Sequence, residues 1–170
     1  MSIITKRGDQ GSTDLLFNKK APKHSERIEA LGAVDELNAH LGLARVHAGE
    51  GELALWIDEI QKLLISLMGE LATAEEDYQR YLDHGFGTID EQDIIDLELL
   101  AQKHEQEGNT FKGWLRPGAD LLTAQLHVCR TVCRRAERRT WALPLVSRAP
   151  SLFLNRLADV LWLLTSSPEH

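Results

Sequence analysis

Five arginines lie within ten residues of one predicted helix, and their spacing makes them the strongest candidates for chemistry in this sequence. Residues 130–139 read RTVCRRAERR, in a chain whose formal net charge is −7. Because this run contains a single carboxylate, Glu137, ion pairs within the helix can neutralise only part of its charge. A guanidinium stays charged and binds phosphate oxygens through two parallel hydrogen bonds. The run therefore favours a polyanionic ligand over the plainer alternative, a solvated helix with internal ion pairs.

The N-terminal loop offers a second set of groups that suit phosphate. Residues 5–13 read TKRGDQGST, and Lys19, Lys20 and Lys23 follow. Glycines let backbone N–H groups turn toward an anion, and hydroxyls and cations complete such a nest. The loop is not a Walker A motif, because no Gly-Lys-Ser/Thr sequence follows either glycine. A mobile terminal segment has the same composition, so the loop gains weight only together with the arginines.

Basic residues are concentrated at two places along the chain. Residues 1–27 carry six basic and three acidic residues, and residues 116–156 carry eight basic and two acidic ones. Residues 28–115 between them carry five basic and nineteen acidic residues. If the fold brings the two basic segments together, they form a local anion site on an acidic protein. The overall acidity and the lack of interleaved aromatic residues argue against a nucleic-acid partner.

The composition is that of one globular domain, which we expect to span residues 1–170. No apolar run approaches the ~18 residues of a membrane span, and the N-terminus lacks the pattern of a signal peptide. We therefore expect a cytoplasmic protein with no membrane partner. Cys129 and Cys133 lie in a helical pattern with no cluster of metal ligands around them. We interpret both as small buried apolar residues in a reducing compartment.

Apolar periodicity predicts an all-α fold of five helices. The expected bounds are a first helix from Arg27, a second from Leu53 to Ala74, a third from a capping box at residues 88–91 to about Glu107, a fourth capped by Asp120 and ending near Leu143, and a fifth from residues 150–151. No alternating strand is visible, and residues 78–88 and the first 25 residues have the composition of loops. Long helices with short links argue for a bundle.

This periodicity also places the candidate residues beside the apolar core. In the fourth helix, Arg130, Arg134 and Glu137 follow one another at spacings of four and three, so they share one face. In the first helix, Asp35 lies next to the apolar stripe, where an ordinary exposed carboxylate is the plainer alternative.

Three stretches of the chain resemble the signatures of the PduO-type ATP:cob(I)alamin adenosyltransferases. Residues 5–13, Lys23 and residues 27–38 (RIEALGAVDELN) are similar to the amino-terminal signature. Residues 126–138 (LHVCRTVCRRAER) and residues 154–159 (LNRLAD) are similar to the other two. The matches come in the family's order and span nearly the whole chain.

The resemblance implies both a fold and a reaction. Residues 27–167 are expected to form a five-helix bundle that assembles as a homotrimer with active sites between subunits. Residues 1–26 are expected to be a nucleotide-binding segment that becomes ordered on binding. The implied reaction transfers the 5′-deoxyadenosyl group of ATP to the cobalt of cob(I)alamin and releases triphosphate. Since Co(I) itself attacks the 5′ carbon, the protein needs only to position the substrates and stabilise charge on the leaving group.

The family's functional residues can be carried over to matching positions. The implied ATP contacts are Thr5, Lys6, Arg7, Gly8, Thr13, Lys23, Arg134, Arg135, Glu137, Arg138 and Asn155. A supporting salt bridge of the cobalamin site falls on Asp35 and Arg130, which we expect to form a partly buried ion pair between helices. The aromatic residue that helps to displace the lower axial ligand of cobalt falls on Trp114. Mg²⁺ is expected to bind with ATP rather than in a protein cage, Glu137 being the main protein candidate.

The sequence departs from the family pattern at a few positions. Arg7 replaces a threonine, Gly118-Ala119 replaces a Gly-Gly pair, and Trp114 replaces a phenylalanine. The Asp-x-His-x-x-Gly motif of other B12 proteins is absent, so no histidine ligand to cobalt is expected. A reductase and an adenosylcobalamin-dependent client enzyme are the implied protein partners.

Two other functions remain open at this point. One is a non-catalytic bundle that binds ATP or carries adenosylcobalamin. The other is a structural oligomerisation bundle, which leaves the two basic segments unexplained.

Overall fold

The structure is a computed structural model that describes Ile4, residues 6–109 and residues 116–166. Within these residues there are six α-helices and one two-stranded antiparallel sheet. The helices are α1 (Glu26–Ala48), α2 (Glu52–Leu71), α3 (Tyr78–Asp83), α4 (Glu91–Gln106), α5 (Leu121–Trp141) and α6 (Ala149–Thr165). The strands are β1 (Ser12–Asp14) and β2 (Lys20–Pro22), with Thr13 opposite Ala21.

The five long helices that the periodicity predicts are all present, and they pack side by side. Helix α1 packs against α2 and α5, and α6 packs against α5 and α4, so the order across the bundle is α2, α1, α5, α6, α4. The predicted apolar stripes face the core, where the fully buried residues include Val34, Leu37, Leu41, Ile57, Leu64, Leu67, Leu126, Leu154, Leu157 and Leu161. Burial of each such side chain contributes about 1.5–3 kcal/mol. Apolar packing therefore holds the bundle and leaves the charged faces available for other tasks.

Helix α3 and the sheet differ from the prediction. Residues 78–88 were expected to be a loop, but Tyr78–Asp83 are helical, so the described part of the chain has six α-helices rather than five. A helix of six residues is too short to show an apolar stripe, and two strands of three residues are too short to show alternation. Tertiary contact stabilises α3 instead, because Tyr81 is buried and its hydroxyl donates to the carbonyl of Gly87 at 2.6 Å.

Capping boxes define the beginnings of α4 and α5. The expected cap at Asp120 is confirmed, since its carboxylate accepts from the N–H of Thr123 at 2.9 Å. The expected box at residues 88–91 is wrong by two residues. Asp90 is the N-cap, and it exchanges hydrogen bonds with Asp93, whose N–H donates at 3.0 Å and whose carboxylate accepts at 2.9 Å. Both spacings satisfy the pattern of the motif, and only the backbone decides which is used.

A turn between β1 and β2 fastens the N-terminal ribbon to the end of α2. Phe17 and Asn18 adopt left-handed backbone angles, with φ of 58° and 64°. The N–H of Leu16 donates to the carbonyl of Ala72 at 2.9 Å, and the guanidinium of Arg80 lies 4.3 Å from the centre of the Phe17 ring. These contacts stabilise a turn that is unfavourable for residues with a Cβ. These contacts attach the turn of the ribbon to the end of α2 and to α3.

Both cysteines are buried and reduced, which confirms their interpretation as apolar core residues. The Sγ of Cys133 donates to the carbonyl of Leu154 at 3.2 Å, and burial raises the pKa of Cys129 to about 12. In the described residues, no helix combines the length and the apolar character that crossing a bilayer requires.

Candidate active site

The loop before β1 forms a compact turn around Gly8. The carbonyl of Gly8 accepts from the N–H of Gly11 at 3.1 Å, and the carbonyl of Gly11 accepts from the N–H of Lys23 at 2.9 Å. A Cβ on Gly8 would lie 2.8 Å from Nζ of Lys23, so glycine leaves room for this ammonium group. Lys6 adopts a left-handed φ of 57° at the edge of the same turn. The fold thus brings together Lys6, Gly8 and Lys23, three of the predicted ATP contacts, with Thr13 following in β1.

Two arginines of α5 are paired with carboxylates of α1. Arg135 forms an ion pair with Glu36, and Nη2 of Arg139 lies 3.7 Å from Oε2 of Glu29. The expectation that ion pairs within the helix neutralise only part of this charge stands, but carboxylates of a second helix neutralise two of the five arginines. Nothing in the local sequence reveals such partners, because Glu36 precedes Arg135 by 99 residues.

Arg134 and Arg138 lie on a different, exposed side of α5. Nη1 of Arg138 donates to the carbonyl of Arg134 at 2.9 Å. The guanidinium of Arg134 makes no hydrogen bond or ion pair within residues 6–109 and 116–166. Arg134 is therefore the arginine of α5 most available to a phosphate.

Asn155 of α6 is hydrogen-bonded on both sides of its amide. Its Nδ2 donates to Oε1 of Glu137 at 3.0 Å, and its Oδ1 accepts from Nη1 of Arg156 at 2.5 Å. Nε of Arg156 in turn donates to Oε1 of Glu98 on α4 at 2.7 Å. A continuous polar chain of four residues therefore links α5, α6 and α4.

A groove of about 420 Å³ lies between α4 and α6, next to this chain. Its apolar lining includes Leu97, Ala101, Trp162 and Leu163, and its polar lining includes Glu98, Arg156 and Asp159. Partial burial raises the pKa of Asp159, and the charges of Arg156 and Arg134 oppose this shift. The groove thus presents an apolar surface next to Glu98 and Arg156, two members of this hydrogen-bonded chain.

Asp35 and Arg130 are not paired with each other within the chain. Asp35 is exposed on α1, so the expected partial burial is wrong for this residue, which faces away from the neighbouring helices of its own chain. Nε of Arg130 is buried, and within the described residues it has no hydrogen-bond partner. Nδ1 of His127, one helical turn earlier, is likewise buried and has no hydrogen-bond partner within the described residues. Burial and the charge of Arg130 lower the pKa of His127.

The structure does not bring the remaining predicted residues together in one place. Arg7 is exposed in the N-terminal loop. Thr5 and Trp114 lie outside the described residues. In the part of the chain that is described, no group of three or more His, Cys, Asp or Glu side chains is arranged to hold a metal ion, and the carboxylate of Glu137 is bound to Asn155.

Comparison with known proteins gives these features a context. Residues 3–167 match the family described as cobalamin adenosyltransferase. The chain is 35% identical to a corrinoid adenosyltransferase of Citrobacter freundii, over 98% of this chain and 94% of that protein. The chain belongs to the cobalamin adenosyltransferase family. A cobalamin adenosyltransferase of Cupriavidus metallidurans is 34% identical over 95% of this chain and 85% of its own length.

Solved structures agree with this membership. A variant of the PduO-type ATP:corrinoid adenosyltransferase of Lactobacillus reuteri, complexed with cobalamin and ATP, superimposes with a TM-score of 0.83. It is 32% identical, and the match covers 96% of this chain and 91% of that one. A second variant of the same enzyme, complexed with ATP, gives a TM-score of 0.80. The resemblance noted from the three sequence signatures is confirmed.

The structure of this cobalamin adenosyltransferase family member also places near Asn155 residues that the sequence pattern did not identify. Arg156 and Asp159 lie within the signature at residues 154–159, where only Asn155 was identified as a site residue. Glu98 has no signal of its own, because it precedes Arg156 by 58 residues.

Proposed function

We propose that this chain transfers the 5′-deoxyadenosyl group of ATP to the cobalt of cob(I)alamin, giving adenosylcobalamin and triphosphate. Co(I) donates an electron pair to the 5′ carbon, the carbon–oxygen bond breaks, and triphosphate leaves with the bonding electrons. The observation that carries this proposal is the exposed guanidinium of Arg134 beside the Asn155–Glu137 hydrogen bond, in a chain of this family. Such a site supplies charge and orientation, which are what the reaction requires of the protein.

The nucleotide is held by groups of two kinds. Lys6, Lys23 and the backbone turn at Gly8 offer cations and N–H groups to the phosphates. Arg134 offers a planar pair of donors to the departing triphosphate. No general base is needed, because no proton is transferred in the step. Mg²⁺ enters with ATP, since the carboxylate of Glu137 is already engaged by Asn155.

The corrinoid lies against the groove between α4 and α6. Cobalt and the 5′ carbon must come within bonding distance, so the corrin ring has to lie next to the nucleotide. The groove provides an apolar surface at Trp162 and Leu163, and Arg156 in its lining is hydrogen-bonded to Asn155. At about 420 Å³ it accommodates one edge of the ring rather than the whole molecule.

Within the described residues, a single chain does not join the two halves of the nucleotide site, and this supports sites shared between subunits, as in the homotrimer that the family resemblance implies. The N-terminal ribbon is fastened at the end of α2, whereas Arg134 lies on α5, with α1 between them. Within the described residues, no hydrogen bond or ion pair of residues 6–23 reaches α5. The N-terminal loop of a neighbouring subunit can complete the site, and an exposed Asp35 can pair with the half-buried guanidinium of Arg130 across the same boundary.

Further aspects of the proposal concern the whole protein. Residues 1–170 form one domain, in which the five long helices make the bundle typical of the family and the N-terminal loop becomes ordered when ATP binds. The protein acts in the cytoplasm, where a reductase supplies Co(I) and a client enzyme takes up adenosylcobalamin.

The deciding experiment mixes the protein with ATP and chemically reduced cobalamin and follows the visible spectrum for formation of a cobalt–carbon bond. Formation of adenosylcobalamin with one triphosphate per cobalt supports the transferase. Binding of ATP without any spectral change would instead support the alternative, a non-catalytic protein that binds ATP or carries adenosylcobalamin.

A further inference from the structure

We infer that Glu98 and Arg156 are positioning residues that fix the amide of Asn155 for the nucleotide. This inference rests on the proposed function, because it assigns to the polar chain a task in the ATP site. Neither residue belongs to the set of expected ATP contacts. Glu98 acts through Arg156, and Arg156 acts through Asn155.

The chemistry of its two neighbours dictates the orientation of the Asn155 amide. A carboxylate only accepts hydrogen bonds and a guanidinium only donates them. Nδ2 must therefore face Glu137 and Oδ1 must face Arg156, as the distances of 3.0 Å and 2.5 Å show. With both neighbours in place, one N–H and one lone pair of the amide are left for a polar atom of the nucleotide.

Glu98 determines where the guanidinium of Arg156 lies. Arg156 is on α6, and its side chain retains 37% of its accessible surface, so without a partner it would sample many rotamers in solvent. The hydrogen bond from its Nε to Glu98 leaves Nη1 directed at Asn155. Helix α4 thus acts on the nucleotide site of α5 and α6 through one carboxylate.

A purely structural role for this ion pair is a poor fit. Exposed pairs of this kind contribute little to stability. The pair of Arg45 and Asp58, between α1 and α2, has nearly the same exposure, with 43% and 37% against 37% and 42% for Arg156 and Glu98. Asp58 also pairs with Lys62 at 3.0 Å, and the pair lies away from Asn155, so it provides a control matched in exposure.

The test measures the ATP dissociation constant by calorimetry, without corrinoid, for wild type, Glu98→Gln and Asp58→Asn. Glu98→Gln should weaken ATP binding roughly threefold to tenfold, because the charge-assisted hydrogen bond from Arg156 becomes a weaker neutral one. Asp58→Asn should change it less than twofold, and both variants should melt within a few degrees of wild type. Arg156→Lys should resemble Glu98→Gln, because an ammonium group lacks the fork that contacts two partners.

A double-mutant cycle with Asn155→Ala separates positioning from direct contact. If Glu98 acts through Asn155, Glu98→Gln has no further effect once Asn155 is alanine. If Asn155→Ala binds too weakly for calorimetry, the cycle is run on kcat/KM for ATP. The inference is overturned if Glu98→Gln weakens binding equally in both backgrounds, or no more than Asp58→Asn does. A wild-type protein that binds ATP but forms no adenosylcobalamin would refute the proposed reaction and leave this test intact.

Discussion

Arg135 of α5 forms an ion pair with Glu36 of α1 across the interface between the two helices. Together with the contact between Arg139 and Glu29, it divides the arginines of α5 into two groups. One group is neutralised by α1 and helps to hold the bundle. The other, which includes Arg134, remains available to a ligand.

Arg134→Ala should reduce kcat by about 10²–10³, the usual cost of removing one donor that stabilises a developing anion. Arg134→Lys should recover only part of the activity, because lysine cannot bind two phosphate oxygens in a plane. The measurement is turnover of ATP and cob(I)alamin, with Arg139→Ala as the control for lost charge on the same helix. Wild-type turnover in Arg134→Ala would remove Arg134 from the catalytic set.

Glu36→Gln should strengthen ATP binding, by roughly twofold to fivefold. Arg135 must leave Glu36 in order to contact ATP. In the variant ATP binding no longer has to break this exposed ion pair, so the affinity rises by the small free energy of such a pair. Calorimetry with ATP measures the change, and Asp58→Asn again serves as the control. An unchanged or weaker affinity would mean that Arg135 stays with α1 and is not an ATP contact.

Asp35→Asn and Arg130→Ala should each impair cob(I)alamin-dependent turnover at saturating ATP. Because Asp35 is exposed in the single chain, the loss should appear only in the assembled protein, where an uncompensated buried charge costs about 3–5 kcal/mol. Turnover of the two single variants and the double variant forms the double-mutant cycle. Light scattering reports the oligomeric state of each variant. Strictly additive effects, or full activity in a monomer, would exclude a pair across a subunit boundary.

Mg²⁺ should bind to the protein only together with ATP. Glu137, the main carboxylate among these arginines, accepts a hydrogen bond from Asn155, and Mg²⁺ favours phosphate oxygens and water. Titration of the nucleotide-free protein with Mg²⁺ in a calorimeter should show no tight site, whereas titration in the presence of ATP should show binding. Tight binding without nucleotide would contradict this assignment.

Glu70→Gln should stabilise the protein at neutral pH and reduce the pH dependence of its Tm. Burial raises the pKa of Glu70 above the ordinary value of 4.5, against hydrogen bonds from the N–H of Ile89 and the hydroxyl of Tyr78. The folded state therefore binds this proton more tightly than the unfolded state. The resulting stability is fully present below the unfolded pKa and is lost as pH rises through the folded pKa. Melting curves recorded from about pH 4.5 to about pH 7.5 should converge at the acid end, where Glu70 is protonated in the folded state. Parallel curves for the two proteins would contradict the shift.

Local signals explain which parts of the fold were predictable. The apolar stripes of α1, with Leu37 and Leu41, and of α2, with Leu64, depend on residues within a turn or two, as does the cap at Asp120. The structure confirms them. Helix α3 was missed because its stability comes from the contacts of Tyr81 rather than from its own six residues.

The candidate site was only partly predictable for a related reason. The three signatures identify Arg134 and Asn155, since recognition depends on residue type and order along the chain. The ion pair of Arg135 with Glu36 spans 99 residues, and that of Arg156 with Glu98 spans 58. Such pairings depend on which helices become neighbours, and the spacing of charges along one helix does not determine that.

The fastening of the N-terminal ribbon to α2 also has a consequence for protein synthesis. Lys19 pairs with Glu76, which is made 57 residues later, and Leu16 and Phe17 likewise wait for Ala72 and Arg80. At about 5–20 residues per second, the ribosome delivers these partners roughly 3–11 s after the ribbon has been made. The first segment to be translated is therefore among the later ones to find its place, and a nascent chain that stops before Ala72 has none of these anchoring contacts.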